Sequence, residues 1–356
     1  MYCRARSGLI LALGAAALTL PATAAAATKT VYAGTPPTTK KLLVKLGATS
    51  LGQFQPNINA FVNQRTTIHT GDKVSFVLRG FHTIDLPKKG GGDVPLIVPS
   101  GGLVSGVNDA AGNPFWFNGK VPNLGFNPAL FKGSGGTVYS GQARIDSGLP
   151  LGPPKPFLVK FTKAGTYKYY CDVHPGMIGY VTVKPKAARL PTAKQSAAAQ
   201  VAQLTADIKA AVKAVKAKLP ANTVSVGKAA SGGVELFSMF PATLTVNTGT
   251  VVTFKMSRGS FENHTATFGP AAELKTLAST PPPALPAQEV FPSDPTQPVL
   301  ETPTNHGDGF ANTGVLDNDP STATIPSSGK IQFNAPGTYH YICLIHPFMT
   351  GTIVVK

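Results

Sequence analysis

The sequence predicts an all-β protein: two tandem Greek-key β-sandwich domains joined by an α-helical linker. Three observations predict it. Glycine and proline are frequent, 37 and 32 of 356 residues, which favours many turns over a helical bundle. A stretch of 21 residues occurs twice without a gap, the mark of a duplicated unit. Between the copies lies a segment of different composition. Hydrophobic residues make up 42% and charged residues 13%. That is enough apolar surface for two cores and too little charge for a disordered chain.

The chain opens with Arg4 and Arg6, a short apolar run from Ser7 to Leu20, and small residues at Ala22 to Ala26. This is the pattern of a cleaved export signal over residues 1–26. Cys3 lies ahead of the apolar run and is not placed as a lipoprotein cysteine. No later segment is long and apolar enough to span a membrane. The expectation is an exported protein, periplasmic or extracellular, with two remaining cysteines, Cys171 and Cys343.

The repeated stretches are AGTYKYYCDVHPGMIGYVTVK from Ala164 and PGTYHYICLIHPFMTGTIVVK from Pro336, identical at 11 of 21 positions. The repeat extends upstream. TGDKVSFVLRGFHTIDL from Thr70 resembles TGTVVTFKMSRGSFENHTATF from Thr248, and each second strand opens on a His-Thr pair. VYAG at Val31 matches VSVG at Val224, and FLVKF at Phe157 matches KIQF at Lys330. Short alternating strands between glycines and prolines read as sandwich domains over 27–185 and 223–356.

The intervening segment, 186–222, contains a run rich in Ala, Lys and Gln between Pro191 and Pro220. Val201, Leu204, Ile208, Val212, Val215 and Leu219 recur at steps of three and four, one apolar face of a helix over Thr192 to Leu219. It is expected to lie on one of its own domains. A dimerisation or partner-binding face is the second reading. Each copy also carries a long insertion, 87–156 and 269–329. The aromatic trio Phe115-Trp116-Phe117 is expected to anchor its insertion to its own sandwich. The glycines from Gly90 lack the Lys-Ser/Thr of a phosphate loop.

The chemistry concentrates in four residues per copy: His82, Cys171, His174 and Met177, then His264, Cys343, His346 and Met349. A thiolate, two imidazoles and a thioether are the donors of a trigonal His₂Cys copper site with a weak axial Met. Zinc is a poorer match, because its usual ligands include no thioether. Three of the four donors sit on one loop as Cys-x-x-His-x-x-Met, and the distant His arrives from a neighbouring strand. Each cysteine is expected to serve its own copy rather than bridge to the other.

Both copies resemble cupredoxins, the plastocyanin and amicyanin family of type 1 copper proteins. The tail YICLIHPFMTG is similar to amicyanin in its short ligand loop. The resemblance covers the motifs and their flanking strands, about half of the chain after the signal. It implies two type 1 coppers per chain at the eight positions named, one-electron cycling between Cu(II) and Cu(I), and electron passage at the edge of His174 or His346. Two departures are visible. Thr83 and Thr265 stand where many members have Asn, and Asp172 faces Leu344 at the position after the cysteine, so the two sites are expected to differ in potential. In cupredoxin enzymes with a second copper type, a His directly precedes the cysteine. Here Tyr170 and Ile342 do, and an electron carrier rather than an enzyme is expected. His69, His306 and His340 read as exposed structural histidines, and the sequon Asn263-His264-Thr265 as a coincidence at a ligand position.

Copper storage or delivery without a redox circuit is the alternative use of the same ligands. An oxidoreductase with an additional interface copper is the third. Of the net charge of +16, residues 27–185 hold +11 and 186–222 hold +6, while 223–356 hold −3. The basic excess suits solubility, or steering toward an acidic redox partner protein, cell-wall polymer or membrane surface. Nucleic acid is not expected of an exported chain without a binding motif.

Overall fold

The computed structural model describes residues 26–153, 155–280, 284–293, 298–302, 309–318 and 325–356. Residues 1–25, nearly all of the expected export signal, and His306 therefore lie outside the described residues. The rest is two β-sandwiches built to one plan. In the first, one sheet runs in the order Phe61–Val62, Thr28–Gly34, Lys73–Arg79, Phe157–Phe161, Val138–Tyr139. The facing sheet runs Ile145–Asp146, Asp85–Leu86, Gly165–Tyr170, Ile178–Lys184, Arg65–His69. The second copy repeats the central pairings. Thr223–Ala230 lies parallel to Thr250–Met256, as Thr28–Gly34 does to Lys73–Arg79. The hairpin Gly337–Ile342 with Thr350–Val355 repeats that of Gly165–Tyr170 with Ile178–Lys184.

The strands form where side chains alternate. In Lys73–Arg79, Val74, Phe76 and Leu78 point inward, and in Thr250–Met256 Val252, Phe254 and Met256 do the same. That period of two places one apolar row per strand between the sheets. Two separate cores result, one around Phe76, Phe161 and Tyr169, the other around Phe254, Phe333 and Tyr341. Gly179 and Gly351, identical in the repeat, lie directly across from Tyr169 and Tyr341 in their hairpins' sheets. A Cβ at either would overlap the tyrosine ring.

The connecting helix is Ala193–Lys216. Thr192 Oγ1 accepts from the Gln195 N–H, and the Gln195 side chain accepts in turn from the Thr192 N–H, a capping box. Lys228 Nζ donates to the carbonyls of Val215 and Ala217, where a cation complements the helix end. Leu204, Ile208 and Ala211 are buried, whereas Val201 is 45% exposed. The helix does not lie on one domain alone. Its buried face fills a third core with Leu42, Leu51 and Val62 of the first copy and Val234, Leu236 and Phe240 of the second.

Two further contacts tie the copies together. Strand Pro56–Ile58, from the first copy, pairs antiparallel with Val234–Phe240 and extends the second copy's sheet to six strands. The aromatic trio does not anchor its insertion to its own sandwich. Phe115 and Phe117 pack with Leu274, Leu277 and Phe310 of the second insertion, and Trp116 Nε1 donates to the Pro292 carbonyl at 2.8 Å. Those apolar rings therefore bury against the other copy rather than their own sandwich.

Asp207 is a charged residue on the buried helix face. Its Oδ2 has no hydrogen-bond partner among the described residues, and burial raises its pKa to about 7. A folded-state value above the unfolded one favours folding at pH below the unfolded pKa, near 3.8, and that advantage is lost as pH rises through about 7. Asp207→Asn should therefore raise the melting temperature at pH 8 and leave it nearly unchanged at pH 4. The expected gain at pH 8 is about 1–3 kcal/mol, the cost of an unsatisfied buried group. Thermal denaturation at the two pH values checks it.

Candidate metal centre

In the first copy, three donors converge from two strand ends. His82 follows strand Lys73–Arg79, and Cys171 and His174 lie in the loop after Gly165–Tyr170. His82 Nδ1 is 3.0 Å from His174 Nδ1 and 3.8 Å from Cys171 Sγ, and His174 Nδ1 is 3.4 Å from the same sulfur. The second copy repeats the triangle with separations of 3.2 Å, 3.7 Å and 3.9 Å among His264, His346 and Cys343. Metal bonds of about 2.0–2.3 Å set at about 120° place donor atoms about 3.5–3.7 Å apart. The sulfur–nitrogen separations, 3.4–3.9 Å, lie around that spacing and the two His–His edges, 3.0 Å and 3.2 Å, fall short of it, so the imidazoles would move apart slightly around an ion; both groups present the Nδ1 edge of each imidazole. Either group can hold a metal ion.

Met177 and Met349 are 1% exposed and close the same loops. The Cys171 N–H donates to the Met177 carbonyl and the Met177 N–H to that of His174. Cys343, Met349 and His346 repeat both bonds. Cys171 and Cys343 form no disulfide, each buried in its own donor group.

The surroundings hold the donors in place. The Thr83 and Thr265 N–H groups each donate to their cysteine sulfur at 3.4 Å. Each threonine hydroxyl also accepts from the backbone N–H after the cysteine, that of Asp172 at 2.7 Å and of Leu344 at 2.8 Å. A hydroxyl thus braces the cysteine loop where an Asn side chain would stand. Asp172 turns away from the sulfur, bonded to Thr83 Oγ1 and the Val94 N–H. Gly34 and Gly227, the glycines of VYAG and VSVG, have φ of +100° and +78°. A Cβ on either would stand 2.9 Å from Nε2 of His82 or His264. The sequence reading passed over them; their shared place in the repeat was the available signal.

Burial and the neighbouring imidazole hold His82 and His264 below the usual histidine range. They are neutral at pH 7, the form that ligates a metal. The cysteines differ. Burial opposes the Cys171 thiolate, but the charge of His174 prevails and holds its pKa well below the ordinary value. Burial pushes Cys343 up to about 11.

The two downstream histidines differ in exposure: the His346 side chain is 19% exposed. His174 is 4% exposed, and both rings border a cavity of about 540 Å³ walled by Phe81, Phe237 and Phe348. Between them lies Glu262, which the sequence reading did not select. Its signal was an asymmetry: Phe81 directly precedes His82, whereas Glu262 and Asn263 separate Phe261 from His264. The Asn263 Nδ2 is shielded from solvent, so the sequon carries no accessible glycan site. His69 is tied to the Ala188 carbonyl and His340 to Thr352, both apart from the donor groups.

No protein-family model matches the chain. Amicyanin-alpha of Methylorubrum extorquens is 65% identical over 27 residues, 8% of this chain and 23% of that protein. The chain thus spans less than a quarter of the curated relative it matches. Among solved structures, plastocyanin from Dryopteris crassirhizoma is similar over 38% of this chain and 99% of its own, with 23% identity and a TM-score of 0.22. Amicyanin from Paracoccus versutus is similar over 40% and 88%, with 17% identity and a TM-score of 0.22. A purple cupredoxin from Nitrosopumilus maritimus matches over 38% and 98%, at 14% identity and a TM-score of 0.21. The protein is cupredoxin-like in fold. It is a tandem form, with two sandwiches, each carrying a His/Cys/His group.

Proposed function

We propose that the protein is an exported electron carrier with one type 1 copper in each sandwich. His82, Cys171, His174 and Met177 hold the first, and His264, Cys343, His346 and Met349 the second. The observation that carries this reading is the duplicated triangle of two Nδ1 atoms and one buried sulfur, closed by a loop that ends in methionine. Copper bound there supplies a one-electron couple. The chain's part is to fix the donors and keep water out, so that little rearranges when the charge changes. Rigid bracing of this kind suits electron transfer better than storage or delivery, which needs ligands that let go. Metal analysis with visible and EPR spectra tests it: two coppers per chain and an intense thiolate-to-copper band are expected, and a colourless copper-loaded protein would refute it.

Entry of electrons follows from what is exposed. Lys88, Lys89 and Lys168 line one surface recess beside Tyr170, the residue before Cys171. Lys168 Nζ lies 4.8 Å from the centre of the Tyr170 ring. We read this basic recess as the face that steers an acidic redox partner, whether protein or polymer. Raising salt from 0.01 M to 0.15 M shortens the screening length from about 30 Å to about 8 Å. Electron exchange with an acidic partner should slow accordingly, and reversal of the three lysines to Glu should slow it at low salt. Stopped-flow rates indifferent to both changes would leave the charge as a solubility feature. Among the described residues, no helix is long and apolar enough to cross a membrane. Export is inferred from the N-terminal pattern.

A further inference from the structure

Glu262 is 7% exposed and points its carboxylate into the space between the two donor groups. Its Oε1 is 3.1 Å from His174 Nε2, and its Oε2 is 3.6 Å from His346 Nε2. In both imidazoles the nitrogen that meets the carboxylate is the one opposite the metal-facing Nδ1. The carboxylate is fixed from several sides. Asn59 Nδ2, from the first copy, donates to Oε1 at 2.5 Å, and Asn57 Nδ2 donates to Asn59 Oδ1. The Glu262 N–H donates to Ser260 Oγ, and the Phe261 N–H donates to the Glu235 carboxylate. The Phe261 ring fills the hollow over Gly176 in the first copy's ligand loop.

A buried carboxylate is costly unless paired, and here both candidate partners are imidazole N–H groups from different copies. Nothing in the fold of the second sandwich alone calls for this acid. The first copy lacks it at the same place and still builds the same donor triangle.

We propose that Glu262 is the link through which the two centres exchange an electron, across the hydrogen bond from His174 Nε2 and the contact to His346 Nε2. The inference rests on the reading that both groups hold copper. With copper held by both donor groups, the electron lost by one centre, Cu(I) to Cu(II), would be the one gained by the other, Cu(II) to Cu(I). No covalent bond breaks and no proton moves, because both imidazoles keep their Nε2 protons and the carboxylate keeps its charge. The Nε2 edges of both histidines meet the one carboxylate, which joins them.

The test begins from the oxidised two-copper protein, reduced by a pulse supplying less than one electron per chain. Spectra of the separate centres come from Cys171→Ala and Cys343→Ala. The wild type should show redistribution between centres at a rate independent of protein concentration. Glu262→Ala should slow it by at least an order of magnitude with both copper bands retained. Glu262→Gln, which keeps one acceptor oxygen, should recover part of the rate and serves as the comparison if the alanine variant does not fold. Metal-free protein supplies a second readout: the His174 Nε2 proton should give a slowly exchanging NMR signal that Glu262→Ala abolishes. An unchanged redistribution rate, or a persisting protected proton, would overturn the link while leaving the copper assignment intact. Loss of both thiolate bands already in the wild type would instead refute the copper assignment and the link with it.

Discussion

Cys171→Ala should remove about half of the visible absorption of the oxidised protein and one of its two coppers, because the thiolate is what makes a type 1 centre coloured and trigonal. Cys343→Ala should do the same to the other half, and the double variant should be colourless. The reasoning rests on separation. Each sulfur belongs to its own triangle of donors, and each is braced by its own threonine N–H. Loss of one should leave the other geometry standing. Absorption per copper and metal content of the three variants check the expectation. If either single variant lost all colour, the two centres would not be independent ligand sets.

Gly34→Ala and Gly227→Ala should each weaken copper at one centre by about 10–100-fold, the usual cost of disturbing the groups that orient a ligand. Gly34 sits at φ +100° and Gly227 at +78°, where a Cβ strains the backbone. At Gly34 the added carbon would also run into the Arg79 carbonyl and stand 2.9 Å from His82 Nε2. At Gly227 the strand carries a register shift between Val226 and Lys228, a bulge that brings the backbone up to His264. The imidazole must then tilt, which moves Nδ1 out of the triangle. Copper competition titrations measure the affinity, and unchanged affinity at both centres would show that the rings have room to spare.

The two sandwiches, the helix and the Cys-x-x-His-x-x-Met loops were legible because each rests on a short-range pattern, and the distant His82 and His264 because the repeat puts each at the same place in its copy. Alternation in KVSFVLR and TVVTFKM needs no knowledge of partners, and Pro191 and Pro220 bracket the helix while its apolar residues recur at steps of three and four. What stayed hidden depends on the meeting of the copies. Pro56–Ile58 is too short for a period to show, and its partner strand lies far along the chain. Phe115 and Phe117 are apolar in any reading, but the sequence does not say which copy they bury against. Glu262 looked like an ordinary surface acid beside a ligand. Only the fold places it between His174 and His346. The same meeting leaves the two downstream histidines in unlike surroundings: His174 is buried, and the His346 side chain is 19% exposed.

The borrowed strand Pro56–Ile58 has a consequence for how such a protein can work. Two carriers on a loose tether reach each other by diffusion, and their encounter varies with tether length. Here one copy's backbone is a rung of the other's sheet, and the helix is wedged into a core that both share. The spacing between the two donor groups is therefore set once, when the chain folds. The molecule behaves as a fixed-gap device: lengthening the connection after the helix should not change how its two halves communicate, whereas removing that rung should.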